Sequence, residues 1–164
     1  MIDQTLATSL RDKSTYTKSS GSIAGLIIDT VDDTIPHKKL KDKQLNTAFP
    51  EKSIGNFDFN ELDIKRVVQN LIINAGYASK KGGKIEVTVS IQNNEALVQV
   101  TDHGTGIPDD VKPLLMKEKY TSKPDGNGFG LLSCKEIIEK YHQGKFGFES
   151  EWGKGSTFYF TLPM

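Results

Sequence analysis

With 164 residues, 36% of them hydrophobic and 26% charged, the chain has the size and composition of one globular core, neither disordered nor membrane-spanning. Its 21 basic residues balance its 21 acidic ones, which excludes a global field for nucleic acid or an anionic membrane and leaves any anion site to be local. Cys134 is the single cysteine, which excludes an internal disulfide and every multi-cysteine zinc arrangement; its apolar-periodic surroundings, LLSCKEIIEKY, mark it as a small buried residue. His37, His103 and His142 are far apart and lack metal-ligand spacing. No apolar run approaches the roughly 20 residues needed to cross a bilayer, and MIDQTLATSLRDK lacks the apolar core of a signal peptide. The expected location is therefore cytoplasmic, either free or as the cytosolic part of a membrane-anchored protein, with no direct membrane contact and no nucleic acid partner.

In chain order, residues 1–21 are rich in Ser, Thr and Lys and read as a loosely ordered lead-in or the remnant of a preceding domain, with the main domain over 22–164. From Ser22, a cap, the set Ile23, Leu26, Ile27, Val31 and Ile35 predicts an amphipathic helix that Pro36 ends. Two short extended pieces follow, Gln44 to Phe49 and Ile54 to Phe59. Asn60, with Asp63 three residues on, caps a second helix whose stripe is Ile64, Val67, Val68, Leu71, Ile72 and Ala75, stopped by Gly82 and Gly83. Ile85, Val87, Val89 and Ile91 alternate, Asn93 and Asn94 turn, and Ala96, Val98 and Val100 alternate again, a β-hairpin. An irregular, lid-like region runs from Asp102 to Gly130, a third helix from Leu131 to Tyr141, and a last hairpin pairs Lys145 to Glu151 with Thr157 to Leu162. This order predicts an α+β two-layer sandwich with helices on one face of a mixed sheet.

Nine of the fifteen glycines fall after Thr101, and seven of these cluster in DHGTGI (102–107), DGNGFGL (125–131) and GKGSTF (153–158), at the ends of predicted elements where bare backbone can approach a ligand. None is a Walker loop or a dinucleotide fingerprint. On the second helix Asn70 and Asn74 lie four residues apart and project from nearly one face. Two asparagines within the apolar run NLIINA weaken a helix without structural return. Beside a hairpin ending in Asp102 they predict a polar site lined by carboxamide oxygens, which suit magnesium, a hard ion that completes its shell with water and phosphate oxygens.

In order and spacing these segments resemble the motifs of the histidine-kinase ATPases, the superfamily shared with DNA gyrase and mismatch-repair proteins: NLIINA the N box, DHGTGI the G1 box, DGNGFGL the G2 box and GKGSTF the G3 region. The resemblance runs from Ser22 to Pro163 and implies the Bergerat fold with ATP and Mg2+ as cofactors. It implies that Asn74 coordinates magnesium, that Asn70 lies near the phosphates and helps orient the attacking group, and that Asp102 accepts from the adenine amino group. Gly104 and Gly106 would let backbone pass against the base, with Ile107 and Thr157 also lining the site. Gly126, Gly128 and Gly130 would hinge the lid and offer amides at the start of the third helix to the phosphates, with Phe129 and Leu131 also among the ATP-binding residues. The intervening PDDVKPLLMKEKYTSKPD resembles a short F box and ATP lid, with Tyr120 where phenylalanine is common and Lys123 for the terminal phosphate. ATP is expected to order the segment from Lys117 to Gly130. His103 is expected at the pocket edge without a catalytic role.

Two departures matter. Tyr77 stands where several of these kinases carry a lysine or arginine against a phosphate, so either Lys80 or Lys81 substitutes or that contact is absent. Nothing resembles a phosphoacceptor box, because His37 in TIPHKKLK lacks an acidic neighbour and long dimerising helices. The implied function is thus donation of the terminal phosphate of ATP to a histidine on a separate dimerisation domain, with catalytic roles for Asn70 and Lys123, followed by a response regulator. The alternatives are an anti-sigma-factor-type serine kinase and a nucleotide-binding module without turnover. A gyrase-type ATPase would carry a glutamate at position 70 to activate water, and Asn70 is a poor base.

Overall fold

The computed structural model describes residues 16–50, 55–117 and 130–164. Strand β1 (Ser19–Ser22) leads into helix α1 (Ile23–Thr34), β2 (Gln44–Ala48), β3 (Asn56–Phe59) and helix α2 (Glu61–Ala78). The hairpin β4 (Lys84–Gln92) and β5 (Glu95–Asp102) follows, then a single turn α3 (Lys112–Leu115), helix α4 (Leu131–Glu136) continued by a π-helical turn over Ile137–Tyr141, and the hairpin β6 (Phe146–Glu151) and β7 (Gly155–Pro163).

Five strands form one sheet in the order β2-β4-β5-β7-β6, with β2 parallel to β4 and every other pair antiparallel. The two-residue period turns Ile85, Val87 and Val89, Ala96, Val98 and Val100, and Phe158, Phe160 and Leu162 to one face, where they meet the apolar stripes of the helices. The opposite face carries Thr88 bonded to Gln99 and Thr101 bonded to Thr157. Helix α2 packs on β4, β5 and β7, α4 and its extension on β6 and β7, and α1 against α2. This is the expected two-layer α+β sandwich with a mixed sheet.

Local chemistry explains the boundaries. Ser22 Oγ accepts from Gly25 N (3.1 Å) and Asn60 Oδ1 from Asp63 N (3.0 Å), so both predicted caps form. Asn93 and Asn94 take φ values of 51° and 61°, the left-handed pair a type I′ hairpin turn needs. Ile35, read as the last member of the first stripe, is instead 48% exposed. The buried side of that turn belongs to Thr30 and Thr34, whose hydroxyls donate back to the carbonyls of Leu26 (2.6 Å) and Thr30 (2.5 Å) and so enter the core satisfied.

The reading of a loose lead-in does not hold from Tyr16 onward. Ser19–Ser22 pairs antiparallel with Asn56–Phe59, and Phe57 and Phe59 supply the buried side chains that the small β1 residues lack. Tyr16 stacks on Tyr141 (centroids 4.5 Å apart) and donates to the fully buried Asp63 (2.6 Å), while Asn60 Nδ2 donates to the Thr17 carbonyl (2.9 Å). Segment 16–22 is thereby fastened to the start of α2. The third helix also differs from expectation in its second half, which is a π-helical turn over Ile137–Tyr141; at its end the Ile137 carbonyl bonds His142 Nδ1 (2.8 Å) and the Ile138 carbonyl accepts from Gly144 N (2.9 Å). Burial pushes His142 below the ordinary histidine range, and the neutral ring accepts from Asn60 N at Nε2 (3.0 Å).

Among the described residues no helix is long and apolar enough to cross a membrane.

Candidate nucleotide site

Helix α2 buries Ile64, Val67, Val68, Leu71, Ile72 and Ala75 against the sheet, which leaves Asn70 and Asn74 half-buried on the flank of that stripe. The helical spacing makes them neighbours: Asn74 Nδ2 donates to Asn70 Oδ1 at 3.1 Å. That bond uses the amide end of Asn74 and leaves its Oδ1 buried with no hydrogen-bond partner among the described residues. An unpaired buried carbonyl oxygen costs about 1 to 3 kcal/mol, so a native protein keeps one where a ligand fills the gap. Among the described residues no group of three His, Cys, Asp or Glu is placed to hold a metal. Asn74 Oδ1 is a carboxamide oxygen, a donor of the kind hard cations accept.

Asp102 ends β5 on the helix-facing side of the sheet and is 4% exposed. Burial raises its pKa above the ordinary aspartate value; backbone N–H groups of Gly104 (3.0 Å from Oδ1) and Ser156, and then the charge of His103, oppose the rise. Such a carboxylate is costly to keep without a further donor.

The loop after Asp102 is tied to both neighbouring layers. Thr105 N donates to the Ala78 carbonyl (3.2 Å), and Gly153 N donates to the Thr105 carbonyl (2.7 Å). Ala78 lies four residues beyond Asn74, so the loop brings Asp102 to the same end of α2 as the asparagine pair. A Cβ at Gly104 would sit 1.9 Å from the Ala78 carbonyl oxygen, and one at Gly106, with φ of 73°, 2.1 Å from that of Glu151. The bare backbone of these glycines is thus required by the protein's own chain. Ile107 packs against the core while its N–H donates to Ser150 Oγ (2.8 Å).

Thr157 and Ser156 lie on opposite faces of β7. Thr157 projects from the outer face of β7, where its hydroxyl pairs with Thr101 at 3.0 Å. The residue beside Asp102 is Ser156, its direct partner in the β5–β7 register, 6% exposed and bonded through Oγ to Ser150 Oγ at 2.7 Å. Sequence reasoning missed Ser156, yet counting back by twos from Leu162, Phe160 and Phe158 would have put it on the core face.

Leu131 packs partly against the core as the first residue of α4, and Gly130 precedes it at the cap position without a side-chain capping bond. Tyr120, Lys123, Gly126, Gly128 and Phe129 lie outside the described residues. His103 is exposed and 3.4 Å from Glu86, away from Asp102. His37 accepts from Lys39 N at Nδ1 (3.1 Å), closing the turn after α1.

Comparison with known proteins agrees with this layout. Residues 59–164 match the family described as histidine kinase-, DNA gyrase B-, and HSP90-like ATPase. The chain is 38% identical over 109 residues to sporulation kinase C of Bacillus subtilis (strain 168), covering 66% of this chain and 25% of the relative. It is 35% identical over 130 residues to sensor protein SrrB of Staphylococcus aureus (strain NCTC 8325 / PS 47), covering 74% of this chain and 22% of that one. The chain thus spans about a quarter of the length of these relatives. The nucleotide-free catalytic domain of histidine kinase ThkA superimposes with a TM-score of 0.77 at 26% identity, over 90% of this chain and 96% of that one.

Proposed function

Because the chain belongs to the histidine kinase-, DNA gyrase B-, and HSP90-like ATPase family, we propose that it binds ATP with magnesium and donates the terminal phosphate to a histidine on a separate dimerisation domain, from which a response regulator receives it. The single observation that carries the reading is the pairing, at one end of α2, of a buried carboxylate at Asp102 with an unpartnered buried oxygen at Asn74. Each needs a partner of its own kind: a donor for the carboxylate, a cation for the carboxamide oxygen. Magnesium ATP offers both.

In this reading the adenine amino group donates to Asp102. Guanine would turn a carbonyl oxygen to the same carboxylate, and the repulsion discriminates against it. Ser156 and Ile107 line the base, Asn74 and Asn70 face the phosphates, and the first amides of α4 beyond Gly130 face them from the other side. When bound, magnesium neutralises phosphate charge and orients the terminal group. Lys123 and Tyr120 complete the site from the lid with Gly126, Gly128 and Phe129.

Asn70 favours histidine as the acceptor. A carboxamide cannot take a proton at neutral pH, so neither water nor a serine hydroxyl would find a base there. An imidazole nitrogen attacks with its own lone pair and needs none. The protein's contribution is then positioning and charge neutralisation, the usual basis of phosphoryl transfer.

The test is to incubate the chain with ATP labelled in its terminal phosphate, magnesium, and the histidine-bearing domain of the parent protein. An acid-labile, base-stable phosphohistidine on that domain is expected, with slow phosphate release in its absence. Acid-stable phosphoserine on a supplied partner would point to the anti-sigma type, and rapid phosphate release without any phosphoprotein to a hydrolase. ATP binding with neither would leave a nucleotide-binding module.

A further inference from the structure

The face of α2 that carries Asn70 and Asn74 continues to Tyr77, since these positions stand at i, i+4 and i+7 of one helix. Over the Tyr77 ring stands the ammonium of Lys39, 4.7 Å from its centroid. Lys39 comes from the connection between α1 and β2, and its backbone is pinned there. Leu40 is buried, its N–H donates to the His37 carbonyl (2.9 Å), and Lys39 N donates to His37 Nδ1 (3.1 Å). The connection also lies against α2 at Gly76, where a Cβ would come 2.9 Å from the Lys39 carbonyl oxygen. A fixed backbone and an aromatic seat hold the charge in place before any ligand arrives.

Lys39 has no carboxylate in ion-pair reach among the described residues, whereas Lys43 and Lys112 are paired with Asp42 (2.6 Å) and Asp109 (3.0 Å), and Lys65 with Asp33. Lys80 and Lys81, the two cations expected to stand in for a basic residue at position 77, are exposed beyond the end of α2. There Gly82 N donates to the Asp42 carbonyl (2.8 Å) and holds their loop to the β2 side. A half-buried ammonium with no carboxylate partner among the described residues, seated over the ring that continues the asparagine-bearing face of α2, is suited to a polyanion.

We propose that Lys39 is a phosphate-binding residue of the nucleotide site, presented by the ring of Tyr77 to the β- and γ-phosphates. The assignment rests on the nucleotide reading above. It differs from a purely structural role, in which the ammonium would only offset the negative end of α2, whose last turn has no basic residue of its own. A structural role would lower stability and leave the choice among nucleotides unchanged.

The experiment is calorimetric titration of the whole chain with ATP and AMP in magnesium, at low and at physiological salt. The proteins compared are the wild type, Lys39→Met, Lys39→Arg and the double variant Lys39→Met with Tyr77→Lys, each checked by thermal unfolding. Lys39→Met is expected to lower ATP affinity about tenfold while AMP affinity stays within a factor of about two, and to flatten the salt dependence for ATP. Lys39→Arg and the double variant are expected to recover most of the loss. Equal ATP affinity in Lys39→Met and wild type would overturn the proposal and leave the nucleotide site standing. Equal losses for ATP and AMP would also overturn it, as the mark of a structural role. A wild-type chain that binds no adenine nucleotide would overturn both the proposal and the reading beneath it.

Discussion

Replacing Asp102 by asparagine is expected to lower ATP affinity about tenfold to a hundredfold, because a charge-assisted hydrogen bond in a dry site accounts for roughly 1.5 to 3 kcal/mol. The fold should be no less stable at neutral pH. Asp102 is buried, and burial holds its pKa above the ordinary aspartate value against the Gly104 and Ser156 amides. The native state therefore holds its proton to higher pH than the unfolded chain does. The stability linked to that proton is fully present below about pH 4 and is lost as pH rises through the raised native value, so at neutral pH the carboxylate opposes folding. Asparagine keeps an oxygen for Gly104 N and carries no charge, and it removes this loss. Thermal unfolding from pH 4 to 7 should show wild-type stability falling more steeply than that of Asp102→Asn. Unchanged ATP affinity in a folded variant would displace the adenine from Asp102.

Gly104→Ala is expected to have the largest effect on the fold of any substitution in the site. The new methyl would lie 1.9 Å from the Ala78 carbonyl oxygen and 2.5 Å from its carbon, both main-chain atoms of α2 that no rotamer change can move. The loop must retreat, which also breaks the bond from Thr105 N to Ala78 O and the one from Gly104 N to Asp102. Overpacking of about 1 to 3 kcal/mol with two hydrogen bonds at about 1 kcal/mol each gives a Tm lower by roughly 6 to 20 °C, and ATP binding should fail with it. Gly25→Ala is the control. Its methyl meets Ser22 Oγ at 3.5 Å within α1, an ordinary contact, so stability should hold or rise by up to about 1 kcal/mol. Similar Tm values for the wild type and Gly104→Ala would contradict the packing described here.

What the sequence made legible was periodic. Alternation over Ile85 to Ile91 and Ala96 to Val100 predicts β4 and β5, Asn93-Asn94 predicts their turn, and Asn60 predicts the start of α2. The contact between Asn70 and Asn74 was legible because their i, i+4 spacing puts them on one helix face. β1 was not legible, since Ser19–Ser22 has no apolar alternation and takes its buried side from β3 through pairing distant in sequence. The parallel pairing of β2 with β4 is likewise a tertiary event that no local pattern encodes. Which of Ser156 and Thr157 shares a face with Asp102 turns on strand parity, where a slip of one residue reverses the face. What approaches Gly104 and Gly106 in the fold is the chain itself, and sequence spacing does not carry that information. Lys39 was hidden for the same reason, 38 residues before the ring it covers.

The central claim, that Asp102 and Asn74 are two ends of one magnesium–ATP site, is tested most directly by a crystal structure of the chain with magnesium and a non-hydrolysable ATP analogue. The account predicts the adenine amino group within about 3 Å of the Asp102 carboxylate and Asn74 Oδ1 at about 2.1 Å from the metal. A nucleotide whose adenine turns away from Asp102, or a metal that leaves Asn74 Oδ1 without a partner, would contradict it.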